Sequence, residues 1–397
     1  MLKSLFQKNY IFYGGSIVIS RGLEYFVLFF AAGYLTKESY GELEFYKKII
    51  EVGSNVLAFG FPALILSYTK SKESKVYFYI LSIAFVLLLM AVLSLAGFYQ
   101  PILFLLIISM AFYGLFFTGG IAQSYQIVHL GSNYASLYKI VISILFYGAV
   151  FGLIYFFQVK GEAYLYPSLI LLPLVLIYSY FDLRKTNVNF SKLRKYWRLF
   201  RKLLLSSFTL VVSNFANLMF LYTDIFVIKL LSEQANSEIA DFSFALNVAS
   251  VLLLISMTLI QVDIEKLKKN FRFIFNLNKK ILTLTVFTSA ILIFGYYILI
   301  NTIYTSFNET FILFLIILIG KVFLTLSNLY GTNLIILKKF KLNLNINLIF
   351  LSLNIASCYF GYKLFGLIGI ALSSALMLAL RYVVLVFFNN FFIKKMS

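Results

Sequence analysis

The sequence predicts an all-α integral membrane protein whose 12 transmembrane helices form two six-helix bundles around a central cavity. Three observations predict this fold class: the composition, twelve long apolar runs, and an uneven distribution of Lys and Arg between those runs. Of the 397 residues, 61% are hydrophobic and 12% are charged, and the mean hydropathy is +0.92. Because soluble proteins have about 45–50% apolar and about 25% charged residues, this composition indicates a polytopic membrane protein.

The apolar runs are long enough to cross a bilayer as helices. A helix needs about 20 apolar residues to span a hydrocarbon core of about 30 Å. Strands of a membrane barrel would instead alternate polar and apolar residues over about ten positions, which these runs do not. Since no cleavage-site pattern follows the leader, we expect the first run to be an uncleaved span. The predicted spans are residues 11–35, 49–68, 76–98, 102–128, 140–157, 164–181, 203–228, 242–262, 281–300, 311–337, 342–360 and 365–388.

The basic residues predict the orientation of these spans. Of the 34 Lys and Arg residues, 25 fall in the segments on the side of the two termini, six in the opposite loops and three inside spans. By the positive-inside rule, this bias places both termini in the cytoplasm. The net charge of +19 is thereby explained by topology, and we expect no nucleic-acid partner.

The longest connection, residues 182–202, divides the chain into two halves of nearly equal length. In it Leu193, Tyr196, Trp197 and Phe200 share one helical face, with basic residues around them. This pattern is typical of a helix lying along the cytoplasmic interface, although a basic topology anchor is the alternative. We therefore predict an N-terminal six-helix bundle (1–181), a basic amphipathic linker (182–202) and a C-terminal six-helix bundle (203–397).

The loops and the rare residue types restrict the chemistry. The other loops are too short for a soluble catalytic or nucleotide-binding domain, and no Gly-rich phosphate loop occurs, so direct use of ATP is not expected. The single cysteine, Cys358, and the single histidine, His129, exclude a disulfide framework and leave no metal-ligand cluster. The sequence therefore predicts neither a metal site nor a cofactor.

Three segments carry a resemblance to a known family. They read YLTKESYGELEFYKKIIEVGSNVLAFGFPALILSY (34–68), SNFANLMFLYTDIFVIKLLS (213–232) and NIASCYFGYKLFGLIGIALSSALM (354–377). In this order and spacing they resemble the bacterial polysaccharide-biosynthesis, or O-antigen, flippases of the multidrug/oligosaccharidyl-lipid/polysaccharide exporter superfamily. One departure is that Ile225 follows Asp224, where the family often has Arg.

The resemblance implies a function and partners. Such flippases are expected to move an undecaprenyl-pyrophosphate-linked oligosaccharide from the cytoplasmic to the periplasmic leaflet by alternating access. A proton or sodium gradient would drive this cycle in the bacterial inner membrane. Membrane lipids, a polysaccharide polymerase and a chain-length regulator are candidate partners. Two alternatives remain open: a multidrug exporter of the same superfamily, whose cavity should be acidic, and an integral-membrane polysaccharide polymerase, which usually needs a long outer loop.

Three basic residues lie inside predicted spans, where a charge costs about 2.5–3.5 kcal/mol. Arg21 lies ten residues beyond Ile11, or about 15 Å along a helix, which is near the midplane. Lys321 lies at a similar depth, and Arg381 lies somewhat nearer the cytoplasm. We predict that Arg21, Lys321 and Arg381 bind the pyrophosphate, because cations suit that anion. Asn328, on the same helical stripe as Lys321, is a fourth predicted substrate-binding residue.

Three carboxylates are predicted ion-coupling residues: Glu24, Glu51 and Asp224. A carboxylate in a poorly hydrated cavity can exchange protons near neutral pH. For Glu24 the alternative is a structural pair with Arg21, since residues three apart on a helix can neutralise each other. For Glu51 and Asp224 the alternative is a position at the membrane interface.

Overall fold

The computed structural model describes residues 8–67, 72–97, 99–117, 119–184, 192–270 and 272–396. Within these ranges the chain is almost entirely helical and contains no strand, which confirms the all-α class. In chain order the α-helices are α1 Lys8–Tyr34, α2 Lys37–Leu57, α3 Phe61–Ser67, α4 Lys72–Gly97, α5 Pro101–Phe116, α6 Ile121–His129, α7 Ser132–Tyr155, α8 Pro167–Arg184, α9 Leu193–Leu231, α10 Ala235–Ala249, α11 Leu252–Lys269, α12 Phe273–Thr302, α13 Phe311–Ile336 and α14 Phe340–Met396. Two short 3₁₀ helices, Gly161–Tyr164 and Thr305–Thr310, precede α8 and α13.

Most helices correspond to one predicted span each, but some spans consist of two helices and one helix contains two spans. Among the described residues, nine helical segments are long and apolar enough to cross a membrane, or ten if the pair α10–α11, bent by 41°, is one span. The segment α14 contains both 342–360 and 365–388, which a kink at Phe365 and Gly366 separates. Gly366 has a φ of 58°, a conformation that costs glycine little. Dividing α14 there raises this count to eleven. Helices α2 and α3, which are not counted among these long apolar segments, occupy the position of the predicted span 49–68.

The start of the second span was predicted wrongly. The sequence placed Lys47 and Lys48 in an outer loop before residue 49, but α2 begins at Lys37 and includes both lysines. Their exposed fractions are only 2% and 5%. A hydropathy window misses this part of the helix because its charged residues lower the average, although they face protein rather than water.

Helix α9 is one continuous helix of 39 residues, or about 58 Å at about 1.5 Å per residue. Of the predicted linker, residues 185–191 lie outside the described residues, and Leu193 to Lys202 form the first turns of α9. Phe200 is buried, and its ring centroid lies 5.1 Å from that of Phe61. Tyr196 stacks on Tyr77 at 4.5 Å. The apolar face that indicated a bilayer interface therefore packs largely on protein, and only Trp197, 47% exposed, retains the expected environment.

The chain forms two compact units. The first contains the residues up to Leu35 and Glu42–Phe215, and the second contains Thr36–Gly41 and Ala216–Ser397. The change from first to second unit thus falls inside α9, between Phe215 and Ala216. The predicted division of the chain by a linker at 182–202 stays a prediction.

The first unit has an aromatic core. Phe112 and Phe146 are fully buried, with their ring centroids 5.9 Å apart. Beside them the hydroxyl groups of Tyr113 and Tyr164 lie 2.6 Å apart, within hydrogen-bond distance. This core fixes α5 and α7, and α7 in turn packs against α1, which carries Arg21 and Glu24.

The second unit includes a short segment from the first turns of α2. Lys37 forms an ion pair of 2.7 Å with Asp241 on α10, and the ring of Tyr40 packs edge-on against Phe307. Gly41 lies so close to α10 that a Cβ atom there would be 1.7 Å from the carbonyl oxygen of Asn236. Only glycine allows this approach, so Gly41 is needed for the packing of the segment.

Candidate functional site

In the first unit, a buried carboxylate holds two cations. Glu24 on α1 is 6% exposed. Its Oε2 accepts a bond of 2.6 Å from Arg21 Nη1, and its Oε1 lies 2.9 Å from Lys47 Nζ on α2. Each oxygen of the carboxylate therefore has its own positively charged partner.

The two cations differ in their access to solvent. The Lys47 side chain is 2% exposed, whereas that of Arg21 is 51% exposed. Lys47 is consequently a fixed counter-ion of Glu24. Arg21 can contact an anion from outside the protein, and Glu24 then still has Lys47 as its cation.

Lys47 is a site residue that the sequence reasoning missed. A usable signal was present, since Lys47 and Lys48 lie three and four residues after Glu44 and four and three residues before Glu51. Alternating charges at helical spacing indicate a continuous helix rather than a loop. Lys48 Nζ lies 3.7 Å from Glu51 Oε2, which gives the predicted ion-coupling residue Glu51 a partner.

The charges around Arg21 include a further cation. Lys139 on α7 lies one helical turn before Ser143, and Arg21 directly follows Ser20 on α1. The hydroxyl groups of Ser20 and Ser143 lie 2.7 Å apart and hold α1 against α7 at this level. Two cations at about the same level of neighbouring helices, one of them half-exposed, favour binding of an anion in their vicinity. Lys139 had been assigned to a cytoplasmic loop from the sequence.

In the second unit, Asp224 is a buried carboxylate without a described salt-bridge partner within 4.0 Å. It is 4% exposed. Ser374 Oγ donates a hydrogen bond of 3.1 Å to its Oδ2, and Cys358 Sγ donates one of 3.3 Å to Oδ1. The sequence had not included Cys358 among the site residues, because its partner lies 134 residues away.

Asp224 and Lys321 line the same cavity, together with Ser374. The volume of this cavity is about 20 Å³, which is room for about one water molecule. The structure therefore brings a predicted substrate-binding residue and a predicted ion-coupling residue to one small cavity.

Arg381 has different surroundings. It is 6% exposed, and its Nη2 donates to the amide oxygens of Asn217 at 3.3 Å and Asn347 at 2.9 Å. Its Cζ lies 5.0 Å from the ring centroid of Phe220, a cation–π contact. Its Nε and Nη1 have no hydrogen-bond partner among the described residues. The amide oxygens stabilise the guanidinium without neutralising its charge.

Asn328 takes part in a contact between helices. Its Nδ2 donates to Ser256 Oγ on α11 at 3.4 Å, and the residue is half-buried. This bond joins α13 to α11, and the substrate-binding role of Asn328 stays a prediction. The predicted convergence of Arg21 with Lys321 and Arg381 also stays a prediction, since Arg21 belongs to the first unit and the other two to the second.

Comparisons with known proteins agree with this architecture. The model of a family described as "Polysaccharide biosynthesis protein" matches residues 6–264. Among curated proteins, no sequence matches the chain.

Several solved transporters have a similar fold. The lipid II flippase MurJ in an inward closed conformation has a TM-score of 0.66 at 16% identity, over 95% of this chain and 87% of that one. A multidrug resistance MATE family transporter of the MOP superfamily, inward-facing, has a TM-score of 0.64 at 12% identity, over 97% and 94%. A MOP superfamily transporter from Pyrococcus furiosus has a TM-score of 0.54 at 12% identity, over 98% and 96%. At these identities the likeness shows the fold.

Proposed function

Because the chain belongs to the polysaccharide biosynthesis protein family, we propose that it flips an undecaprenyl-pyrophosphate-linked oligosaccharide, such as an O-antigen unit, across the bacterial inner membrane. It is a multi-pass membrane protein with the fold of MOP superfamily transporters. The reaction is transport from the cytoplasmic to the periplasmic leaflet, and no bond is made or broken. A polysaccharide polymerase and a chain-length regulator would use the product.

The observation that carries this proposal is the arrangement of Arg21, Glu24 and Lys47. A diphosphate group must lose part of its hydration to pass through the membrane, and a guanidinium can bind it through two parallel hydrogen bonds. Arg21 is accessible for that contact, and Lys139, one helical turn from Ser143 on the neighbouring helix α7, adds positive charge nearby. Since Lys47 remains on Glu24, the exchange of Arg21 from Glu24 to the diphosphate leaves no buried charge uncompensated.

The ion pair between Lys47 and Glu24 also bears on which of the predicted residues carries the coupling ion. A carboxylate with a buried lysine as its permanent partner stays ionised, so Glu24 is a poor proton carrier. Asp224 is better suited, because its described hydrogen-bond donors are the neutral groups of Ser374 and Cys358. We assign the coupling ion, a proton or a sodium ion, to the cavity of Asp224 and Lys321.

Replacing Asp224 with asparagine is expected to uncouple transport from the ion gradient. The amide keeps the size of the side chain but has no negative charge and cannot exchange a proton. The measurement is flipping of lipid-linked sugar in proteoliposomes with and without an imposed proton or sodium gradient. Asp182→Asn, the same change at the end of α8, is the matched control. An unchanged gradient response in Asp224→Asn would remove this residue from the coupling mechanism.

The flipping reaction itself can be tested with the purified full chain in liposomes. Undecaprenyl-pyrophosphate-linked oligosaccharide is placed in both leaflets, and a membrane-impermeant lectin reports the fraction on the outer surface after a gradient is imposed. We expect that fraction to change with protein and gradient present, and to stay constant in empty liposomes. No change with protein present contradicts the proposal, and growth of the sugar chain would indicate a polymerase.

A multidrug exporter is the second candidate, because the fold is as similar to a MATE transporter as to MurJ. Its usual substrates are cationic, however, and the half-exposed group of the first-unit site is an arginine. Efflux of cationic dyes from the same liposomes, without movement of the lipid-linked sugar, would favour the exporter.

A further inference from the structure

The second unit has a groove between α11 and α12 that the proposed transport does not use. Its volume is about 550 Å³, and its walls include Leu259, Phe273 and Leu284. Two neighbouring lysines, Lys279 and Lys280, lie at its edge and are exposed. The groove thus combines an apolar wall with a basic rim.

The charge at this rim is not balanced by the neighbouring protein. Within the described residues, neither Lys279 nor Lys280 has a carboxylate within 4.0 Å. The nearby Lys266, whose Nζ lies 5.5 Å from the ring centroid of Phe273, is paired with Asp263. Two positive charges therefore remain for an external anion, next to apolar surface.

An apolar stripe leads away from the groove along α12. Leu284, Phe287, Ile291, Phe294 and Ile298 follow Lys280 at intervals of three and four residues, and all five are exposed, by 42 to 68%. Side chains at this spacing lie on one face of a helix. In a membrane-spanning helix such a face contacts hydrocarbon chains. The stripe continues the apolar wall from the basic rim toward the membrane interior.

We propose that this groove binds an anionic phospholipid, with its phosphate on Lys279 and Lys280 and an acyl chain along the stripe. Basic pockets between helices on the cytoplasmic side are suited to anionic lipid headgroups. In the orientation predicted from the basic residues, the start of α12 lies on the cytoplasmic side, where anionic headgroups are available. The site is separate from the Asp224 cavity, and no lining residue is shared between them.

The test uses a tryptophan placed beside the groove. The single tryptophan is removed by Trp197→Phe, and Phe287→Trp places a reporter on the stripe. The full chain is reconstituted in mixtures of phosphatidylcholine and phosphatidylglycerol, with bromine on the acyl chains of one or the other lipid to quench the reporter. We expect phosphatidylglycerol to be preferred over phosphatidylcholine, by about fivefold for each lysine that contacts the phosphate.

Lys279→Gln with Lys280→Gln should abolish this preference. The control pair Lys338→Gln with Lys341→Gln makes the same charge change at two exposed lysines, one just before α14 and one in its first turn, and it should retain the preference. Equal quenching by both lipids in the parent chain, or an equal loss in the control pair, would overturn the proposal. Displacement of brominated phosphatidylglycerol by equimolar undecaprenyl pyrophosphate would assign the groove to the carrier lipid instead. Displacement by millimolar inorganic phosphate would show that no lipid is required.

Discussion

Replacing Arg21 with alanine is expected to abolish flipping of the lipid-linked oligosaccharide while the protein still inserts and folds. The substitution removes the half-exposed cation of the first-unit site, so the diphosphate loses its bidentate partner. Glu24 keeps Lys47 at 2.9 Å, and no buried carboxylate is left alone. Since the Arg21–Glu24 pair is half-exposed, we expect its loss to lower the free energy of unfolding by about 1 kcal/mol or less.

The measurement is the liposome flipping assay, with the amount of inserted protein determined in parallel. Arg21→Lys should restore part of the activity, because the lysine keeps the positive charge but lacks the planar guanidinium that makes two parallel hydrogen bonds. Arg194→Ala, at an exposed arginine near the start of α9, is the matched control and should be close to the parent. Normal transport by the double variant Arg21→Ala with Glu24→Ala would show that the pair has only a structural role.

Replacing Lys47 with methionine is expected to have the largest effect on stability. The substitution keeps most of the side-chain volume but removes the buried cation on Glu24 Oε1, so that only the half-exposed Arg21 still pairs with the carboxylate. Breaking a buried ion pair by removing one partner costs about 3–5 kcal/mol. We therefore expect a loss of that size in the free energy of unfolding, measured by denaturant titration of the purified chain in detergent.

The double variant Lys47→Met with Glu24→Gln tests the physical reason for that loss. If the cost arises because the buried Oε1 of Glu24 has lost its lysine, removing the carboxylate's charge should recover most of the stability. Lys160→Met makes the same change at an exposed lysine of the first unit, and it should change the free energy of unfolding little. A loss in Lys47→Met no larger than in Lys160→Met would mean that Lys47 does not stabilise Glu24.

The predictions for Arg21→Ala and Lys47→Met distinguish the role of Arg21 from that of Glu24, which the sequence left open. From the sequence of residues 17–30, IVISRGLEYFVLFF, Arg21 and Glu24 form a pair in which either residue could bind the substrate or the coupling ion. The structure adds Lys47 as a third member, and its burial makes Glu24 a permanently paired anion. Glu24 is thereby better suited to position Arg21 than to carry the coupling ion.

The sequence by itself determined the membrane class, most of the spans, the expected orientation and the three cations inside spans. These follow from composition, apolar run length and charge cost, which are properties of residues close together along the chain. It also placed Lys321 and Asp224 among the site residues, because a charge inside a span needs a functional or structural reason.

Only the tertiary structure decided which partner each charge has. Lys47 reaches Glu24 from another helix, Cys358 reaches Asp224 across 134 residues of sequence, and two asparagine side chains hold Arg381. The extent of α2 was decided in the same way, since its charged residues can be helical and buried only when ionic partners from the same unit compensate them. Helical periodicity determines the face and approximate depth of a side chain, but partners on different helices are selected by packing, which no local pattern in the sequence encodes.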